Sequence, residues 1–438
     1  MSGKARLSPG KSYRLLHYLN RQHSKPERLL MAAAGYTSCL AVTGSPTLAC
    51  QLWCEFREDN FKDGLRRAHW YATRGWPGLG PSESDPFFCF SDGLSLKESR
   101  AMADWVGGRA DRLPPLEAAT ARLTAKAQVV HQATLADNQP LAAQTLAEFQ
   151  DEADRLLASL QAKRADTASR MEAENQERGV SDQEQPADFA REDAEAALHD
   201  VAQLLPLEQW GWTALSGTFL GIFREGDFLP HDFDIDLGLP AERTDLTRLT
   251  QLLEASPLFE SVRADHQYRL HCTPEGLRVD VLPVLVKAVH CNGIAVDFSL
   301  LYDEGGIWWH GSMMHRWDHT PQELVAYELR GVRILGPRDG DRYLTEGYGD
   351  WRTPVRSFNC SSGRHNLVVV QNLLGVCLFL KRLVWHLSNA DANGYDAVLA
   401  QMLRQSLLTE VGAGAPRFNR HWFDSCPQQR AGGDQHGD

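Results

Sequence analysis

Between Asp232 and Leu237 acidic and apolar positions alternate. Asp232, Asp234 and Asp236 take every second place, with Phe233, Ile235 and Leu237 filling the others. A period of two predicts a strand that carries all three carboxylates on one face. A second strand is predicted over Gly276–Val286, where Val279, Val281, Leu282, Val284 and Leu285 surround one acidic residue, Asp280. Elsewhere the period is helical. Leu146, Phe149, Ala153, Leu156 and Leu160 recur at three- and four-residue steps, which predicts one face of a helix. A further helix is predicted over Ala190–Leu205. His365–Ser388 is strongly apolar and reads as a buried helix. Its Lys381-Arg382 end and its embedded Asn366, Gln371 and Asn372 argue against a bilayer span.

These patterns suggest an order along the chain. Residues 1–110 read as a helical module, with Trp53, Phe56, Phe61, Trp70, Tyr71 and Trp76 as aromatic mass. Residues 111–172 read as a helical hairpin or a short coiled coil. The polar stretch 173–189, with Gly179 and Pro186, is a candidate linker. Residues 190–426 form the expected catalytic domain, and 427–438 a disordered tail. Near the N-terminus an uncharged run from Leu29 to Cys54 follows a basic segment. Gly44, Ser45 and Pro46 interrupt it, which favours two short packed helices over a membrane anchor.

The 438 residues suffice for two or three domains, and 43% hydrophobic content supports sizeable cores. A net charge of −12 argues against broad nucleic-acid binding. It is compatible with an anionic ligand bridged by a metal. Nine cysteines are scattered without a CxxC pair, which suits a reduced, cytoplasmic compartment. Cys50 and Cys54 read as small buried hydrophobes.

The acidic strand admits two readings. It is a solvated edge with a negative face, or its carboxylates converge on a divalent ion, for which hard oxygen ligands suit Mg²⁺ or Mn²⁺. Asp280 sharpens the choice. A lone carboxylate in so apolar a strand is expensive to bury without a partner or a metal. Paired with Arg278 or Arg263 it is structural. Brought against Asp234 and Asp236 by sheet pairing, it completes a three-carboxylate site of the metal-dependent phosphoryl- or nucleotidyl-transfer kind. Upstream, Ser216-Gly217-Thr218 forms a turn whose glycine lets a phosphate approach the backbone. Arg224 is a candidate phosphate clamp, or else a surface partner of Glu225 or Asp227. The Trp308–Trp317 segment holds three tryptophans and two histidines. It reads either as an acceptor platform or as a packed insert.

Three blocks in this order resemble the LicD/fukutin family. The first runs from Ser216-Gly217-Thr218 through Arg224 to Pro230-His231-Asp232-Phe233-Asp234-Ile235-Asp236. The second is Val279-Asp280-Val281-Leu282-Pro283. The third runs from Pro337-Arg338-Asp339 to Tyr348-Gly349-Asp350-Trp351. The resemblance spans about residues 205–360. His231 stands where the family often has tryptophan, and Phe233 where many members have another aspartate.

The resemblance implies an α+β fold, a nucleotidyltransferase-like mixed sheet with flanking helices, preceded here by the helical N-terminal region. It also implies transfer of a phosphorylated alcohol from a CDP-alcohol donor to a glycan or polysaccharide acceptor, with release of CMP. Asp234 and Asp236 would hold Mg²⁺ (or Mn²⁺), and Asp280 would complete the metal shell or act as base toward the acceptor hydroxyl. Ser216, Gly217, Thr218, Arg224, Asp232 and Tyr348 would contact substrate, although for Tyr348 and Asp350 a structural role at a turn is the favoured reading. Peripheral membrane association stays open. Two alternatives stand beside this reading: transfer of NMP to a small molecule, and a non-catalytic scaffold.

Overall fold

The computed structural model describes residues 36–38, 40–41, 96–108, 114–177, 191–230, 232, 234–354, 363–410 and 415–424. Trp53, Phe56, Phe61, Trp70, Tyr71 and Trp76 of the 1–110 module, the Leu29–Cys54 run apart from 36–38 and 40–41, residues 178–189 of the expected linker, the 427–438 tail, and the His231 and Phe233 departures lie outside them.

The first helices are α1 (Leu96–Gly107), α2 (Pro115–Leu135) and α3 (Gln139–Glu177), followed by α4 (Arg191–Leu204) and α5 (Leu207–Trp210). Then come β1 (Thr213–Ala214), α6 (Ser216–Glu225), β2 (Asp234–Pro240) and α7 (Leu246–Ala255). A run of strands follows: β3 (Phe259–Thr273), β4 (Gly276–His290), β5 (Ala295–Glu304), β6 (Ile307–Gly311) and β7 (His315–His319). The chain continues through β8 (Leu324–Leu329), β9 (Val332–Pro337), α8 (Gly340–Tyr348) and β10 (Leu367–Val369). It ends with α9 (Leu373–Ser388), α10 (Ala392–Arg404), β11 (Leu408–Thr409) and β12 (Arg417–Phe418).

Two compact units share these elements. One holds residues 1–61, 184–267 and 282–368; the other holds 62–183, 268–281 and 369–438. The expected contiguous stretch 190–426 is therefore divided between them, and the chain passes from one to the other within β3 and again within β4.

The first unit is built on a mixed sheet. Its order is β7-β6-β5-β2-β1-β9-β8, with β4 pairing on the first half of β5. β1 is antiparallel to β2 and parallel to β9, and β2 runs parallel to β5. This is the α+β arrangement that the resemblance implied. Along β2 the odd positions Ile235, Leu237 and Leu239 are fully buried in the core. Val296, Phe298 and Leu300 of β5 and Val286 and Ala288 of β4 join them. The alternation then leaves Asp234 and Asp236 on the other face. Helix α6 adds Phe219, whose ring meets Tyr327 and Tyr343 edge-on at 5.5 and 5.3 Å. Asp245 caps α7 by accepting from the Arg248 N–H at 3.1 Å, which is why that helix starts where it does.

The second unit is helical. Helices α2 and α3 pack as an antiparallel hairpin, one of the two forms expected for this region. The buried face of α3 carries Leu146, Phe149, Ala153, Leu156 and Leu160, the five positions that set the helical period in the sequence. Glu152 lies between Arg122 (2.6 Å) and Lys126 (3.0 Å) of α2 and ties the hairpin together. The apolar helix α9 packs on α2. It is shorter than predicted, because Asn372 is its N-cap and accepts from the Leu374 N–H at 2.8 Å. Gln371 donates to the Trp422 carbonyl at 2.7 Å. The polar residues embedded in this apolar run thus fix where its helix begins. Among the described residues no helix is long and apolar enough to cross a membrane.

Candidate metal centre

Asp234 and Asp236 are first and third on β2, two residues apart and so on one face. The parallel register sets Asp236 opposite Asp297 of β5. On the other side of β5, the antiparallel register sets Lys287 of β4 opposite Asp297. Asp234, Asp236 and Asp297 each offer a carboxylate oxygen, and these atoms lie within 4.8 Å of one another. Asp297 is only 7% exposed. Its Oδ2 accepts from Lys287 Nζ at 2.7 Å, whereas its buried Oδ1 has no hydrogen-bond partner.

Three carboxylates this close repel one another. Burial is the main cause that raises the Asp234 carboxyl from its ordinary value to about 7, and the charges of Asp297 and Asp232 add to it. Asp236 is likewise raised well above the ordinary range, by burial first and then by Asp234, Asp297 and Asp232. A divalent cation removes the conflict. The donor set is all carboxylate oxygen, the choice of hard cations such as Mg²⁺ or Mn²⁺. The unpartnered buried Oδ1 of Asp297 is the atom such an ion would satisfy. The residues present therefore fit a divalent cation.

Asp280, the third carboxylate expected from the sequence, is not a member of this group. It belongs to the other unit, where Arg278 Nε donates to it at 2.8 Å and His271 lies 3.2 Å away. Its side chain is 38% exposed, so it needs no metal to compensate its charge. The alternative reading of Asp280 as the ion-pair partner of Arg278 describes it correctly. Asp297 was missed, although Ile294-Ala295-Val296-Asp297-Phe298 carries the same signal of a lone acid in an apolar run. The difference lies two residues away: Asp280 has Arg278 on its own face, and Asp297 has Ala295 and Ser299.

Ser216, Gly217 and Thr218 form the first turn of α6, not a free loop. The Thr218 hydroxyl accepts from the Asp236 N–H at 2.8 Å, and the Leu215 N–H donates to the Asp236 carbonyl at 3.0 Å. The helix start is thereby tied to the acidic strand. A Cβ at Gly217 would lie 2.7 Å from Asp232 Oδ2, so glycine is needed for the Asp232 carboxylate to sit here. Ser216 has φ +44°, a left-handed conformation that is uncommon outside glycine. It is held there by two contacts. Its N–H donates to the Tyr343 hydroxyl at 3.3 Å, and its Oγ accepts from Arg364 at 3.1 Å.

Arg364 is the functional candidate that the sequence did not reveal. It is 4% exposed. Besides Ser216 it reaches the Tyr348 hydroxyl at 3.3 Å, and its guanidinium lies 4.7 Å from the Tyr348 ring centroid. It comes from the segment before β10, far in sequence from the acidic strand, and no local motif marks it. Burial pushes the Tyr348 phenol up, against the opposing charge of Arg364. Ser216 and Tyr348 are thus brought together through Arg364. Arg224 is not. At the far end of α6 it donates to Glu225 at 2.8 Å and to the Trp351 carbonyl at 3.0 Å. Asp350 closes a turn by accepting from the Thr353 hydroxyl at 2.7 Å.

Most of the tryptophan-histidine segment is packed. Trp309 is fully buried and stacks on Tyr302 at 4.4 Å, with Arg316 on its ring at 4.7 Å. His319 stacks on Tyr343 at 4.2 Å. Burial, helped by the charge of Arg364, lowers the His310 imidazole to about 3 and holds His319 well below its ordinary value. His310 and His319 are therefore neutral packing groups at physiological pH. Trp308 is only partly buried and lines a small cleft beside Leu215, His319 and Tyr343.

A carboxylate group on adjacent parallel strands, tied to a helix start and beside Lys287, is an arrangement suited to metal-assisted transfer of phosphate groups. Residues 212–338 match the family described as LicD/FKTN/FKRP, nucleotidyltransferase domain. The likeness to the LicD/fukutin family is thus carried by this stretch of the chain. The match includes Asp234, Asp236, Lys287 and Asp297 and ends at Arg338, before Tyr348 and Arg364. No curated protein matches the chain.

Proposed function

We propose that the protein is a metal-dependent phosphotransferase. It moves a phosphorylated alcohol from a CDP-activated donor to a hydroxyl of a glycan or surface polymer and releases CMP. The observation that carries this is the Asp234–Asp236–Asp297 group with the unpartnered, buried Oδ1 of Asp297. The match of residues 212–338 to the LicD/FKTN/FKRP nucleotidyltransferase domain supports the transferase class.

In this reading Asp234, Asp236 and Asp297 hold Mg²⁺ or Mn²⁺. When bound, such a cation would supply positive charge for the donor's diphosphate and the departing CMP. The acceptor oxygen forms a bond to the phosphorus that bears the alcohol, and the bond from that phosphorus to the CMP oxygen breaks. The acceptor's proton would pass to a carboxylate oxygen of the Asp234–Asp236–Asp297 group. Arg364 lies beside Ser216 Oγ at the start of α6, and supplies fixed positive charge for a donor phosphate. Thr218 holds the backbone at Asp236 and so fixes where that carboxylate stands. Arg224, committed to Glu225 and the Trp351 carbonyl, takes no part.

Nucleotidyl transfer is the second reading, and the family description favours it by its wording. The two differ in which half of the donor stays on the product. Thermal shift separates them without an acceptor. The protein is heated with Mn²⁺ and CDP-choline, CDP-ribitol, CDP-glycerol or each of the four NTPs, alongside Asp234→Asn/Asp236→Asn. A ligand at a hundred times its dissociation constant adds about 2.7 kcal/mol to the folded state. A Mn²⁺-dependent shift with one CDP-alcohol, lost in the double variant, is the expected result. A shift with NTPs alone selects nucleotidyl transfer. No shift with any compound defeats both.

A further inference from the structure

The Asp297 carboxylate has two oxygens in two different situations. Oδ2 is taken by Lys287 Nζ at 2.7 Å; Oδ1 is buried and has no partner. The arrangement comes from strand register and not from chance side-chain reach. Asp236, Asp297 and Lys287 are successive neighbours across β2, β5 and β4. An acid therefore flanks Asp297 on one side and an ammonium on the other.

Lys287 itself is out of place in its strand. Val284-Leu285-Val286-Lys287-Ala288-Val289 is otherwise apolar, and Val284, Leu285, Val286 and Ala288 are buried. The Lys287 side chain stands on the Asp297 face and is 40% exposed, so the ammonium stays in reach of solvent while Nζ holds Asp297 Oδ2. That bond costs the centre one of its ligand oxygens.

Two-metal phosphoryl-transfer sites place their ions about 3.5–4 Å apart, and a carboxylate joins them through both of its oxygens. Asp297 stands between Asp236 and Lys287 and is the natural joining carboxylate. Its second oxygen already accepts from an ammonium. We infer that this centre holds one divalent cation, and that Lys287 occupies the charge position a second cation has in two-metal sites. The inference rests on the metal-dependent reading above. Lys287 is then a positioning residue. It turns Asp297 so that only Oδ1 faces the ion, and it excludes a second dication by charge.

The test is a Mn²⁺ titration of the full chain after chelator treatment, followed by electron paramagnetic resonance and by isothermal calorimetry. Wild type is expected to take one Mn²⁺ per chain, with the spectrum of an isolated ion up to saturation. Lys287→Met frees Oδ2 and removes the ammonium, and is expected to take two, with spin coupling between ions a few ångströms apart. Lys287→Arg keeps the cation and is expected to return the count to one. A merely structural lysine would alter melting temperature without altering the count or the coupling. Two coupled ions in wild type overturn the inference while leaving the phosphotransferase reading intact. So does a folded Lys287→Met that still takes one. No bound Mn²⁺ in wild type overturns the metal-dependent reading, and this inference with it. If Lys287→Met does not fold, the wild-type count and Lys287→Arg decide.

Discussion

Replacing Asp234 by asparagine should stabilise the metal-free protein at neutral pH. The folded state raises this carboxyl from an ordinary 3.8 to about 7, through burial and the charges of Asp297 and Asp232. Between those two values the folded protein binds more protons than the unfolded chain, so stability falls as pH rises through the window. Below pH 3.8 this loss is absent; above about pH 7 it is complete. At 1.36 kcal/mol per pH unit the rise corresponds to about 4 kcal/mol. Asp236 shares the same repulsion, and side-chain relaxation and water entry screen it, so about 2 kcal/mol is the working figure. For a unit of this size that is a rise of about 4–8 °C in melting temperature.

The assay is thermal unfolding in EDTA at several pH values between 5 and 8, repeated with Mn²⁺. Wild type should melt lower as pH rises and recover with Mn²⁺. Asp234→Asn should melt higher than wild type at pH 7.5 in EDTA, vary less with pH, and gain little from Mn²⁺. Equal or lower melting of the variant in EDTA, with an unchanged pH dependence, would show that the carboxylates are not in conflict. The metal reading would lose its electrostatic basis.

Other substitutions probe the parts separately. Asp297→Asn should abolish Mn²⁺ binding in calorimetry, whereas Asp280→Asn should leave it unchanged, because Asp280 is engaged by Arg278 and His271. Thr218→Val removes the acceptor for the buried Asp236 N–H and should lower stability by about 1–3 kcal/mol in a denaturant titration. Gly217→Ala drives a methyl to 2.7 Å from Asp232 Oδ2; with Mn²⁺ saturating, it should reduce donor binding in a thermal-shift titration at least tenfold. Arg364→Met should weaken binding of the CDP-alcohol more than binding of Mn²⁺ alone; equal loss of both would make Arg364 a packing residue.

What the sequence revealed and what it hid divide along the reach of local pattern. Alternation in Asp232–Leu237 announced a strand with its acids on one face, and the helical period of Leu146–Leu160 announced the buried face of α3. Both signals depend only on neighbours a few residues away. The third carboxylate depends on which strand pairs with β2, and that partner, β5, lies beyond a helix and a long hairpin. Two lone acids in apolar strands, Asp280 and Asp297, competed for the place. The family resemblance favoured Asp280, which stood in a recognised block.

A physical criterion would have chosen otherwise. Arg278 stands two residues from Asp280 on the same face and compensates it locally, leaving the charge no need of a distant partner. Asp297 has no charge at that spacing, so its compensation has to come from other strands. It comes from Lys287 on one side and, on the proposed reading, from a dication shared with Asp234 and Asp236 on the other. Arg364 follows the same logic at longer range. A buried arginine with no acidic residue near it in sequence has its purpose set by tertiary structure, here at the strained Ser216 that begins α6. The charges that lack a local partner are therefore the ones to follow from sequence toward a site, ahead of those that complete a familiar motif.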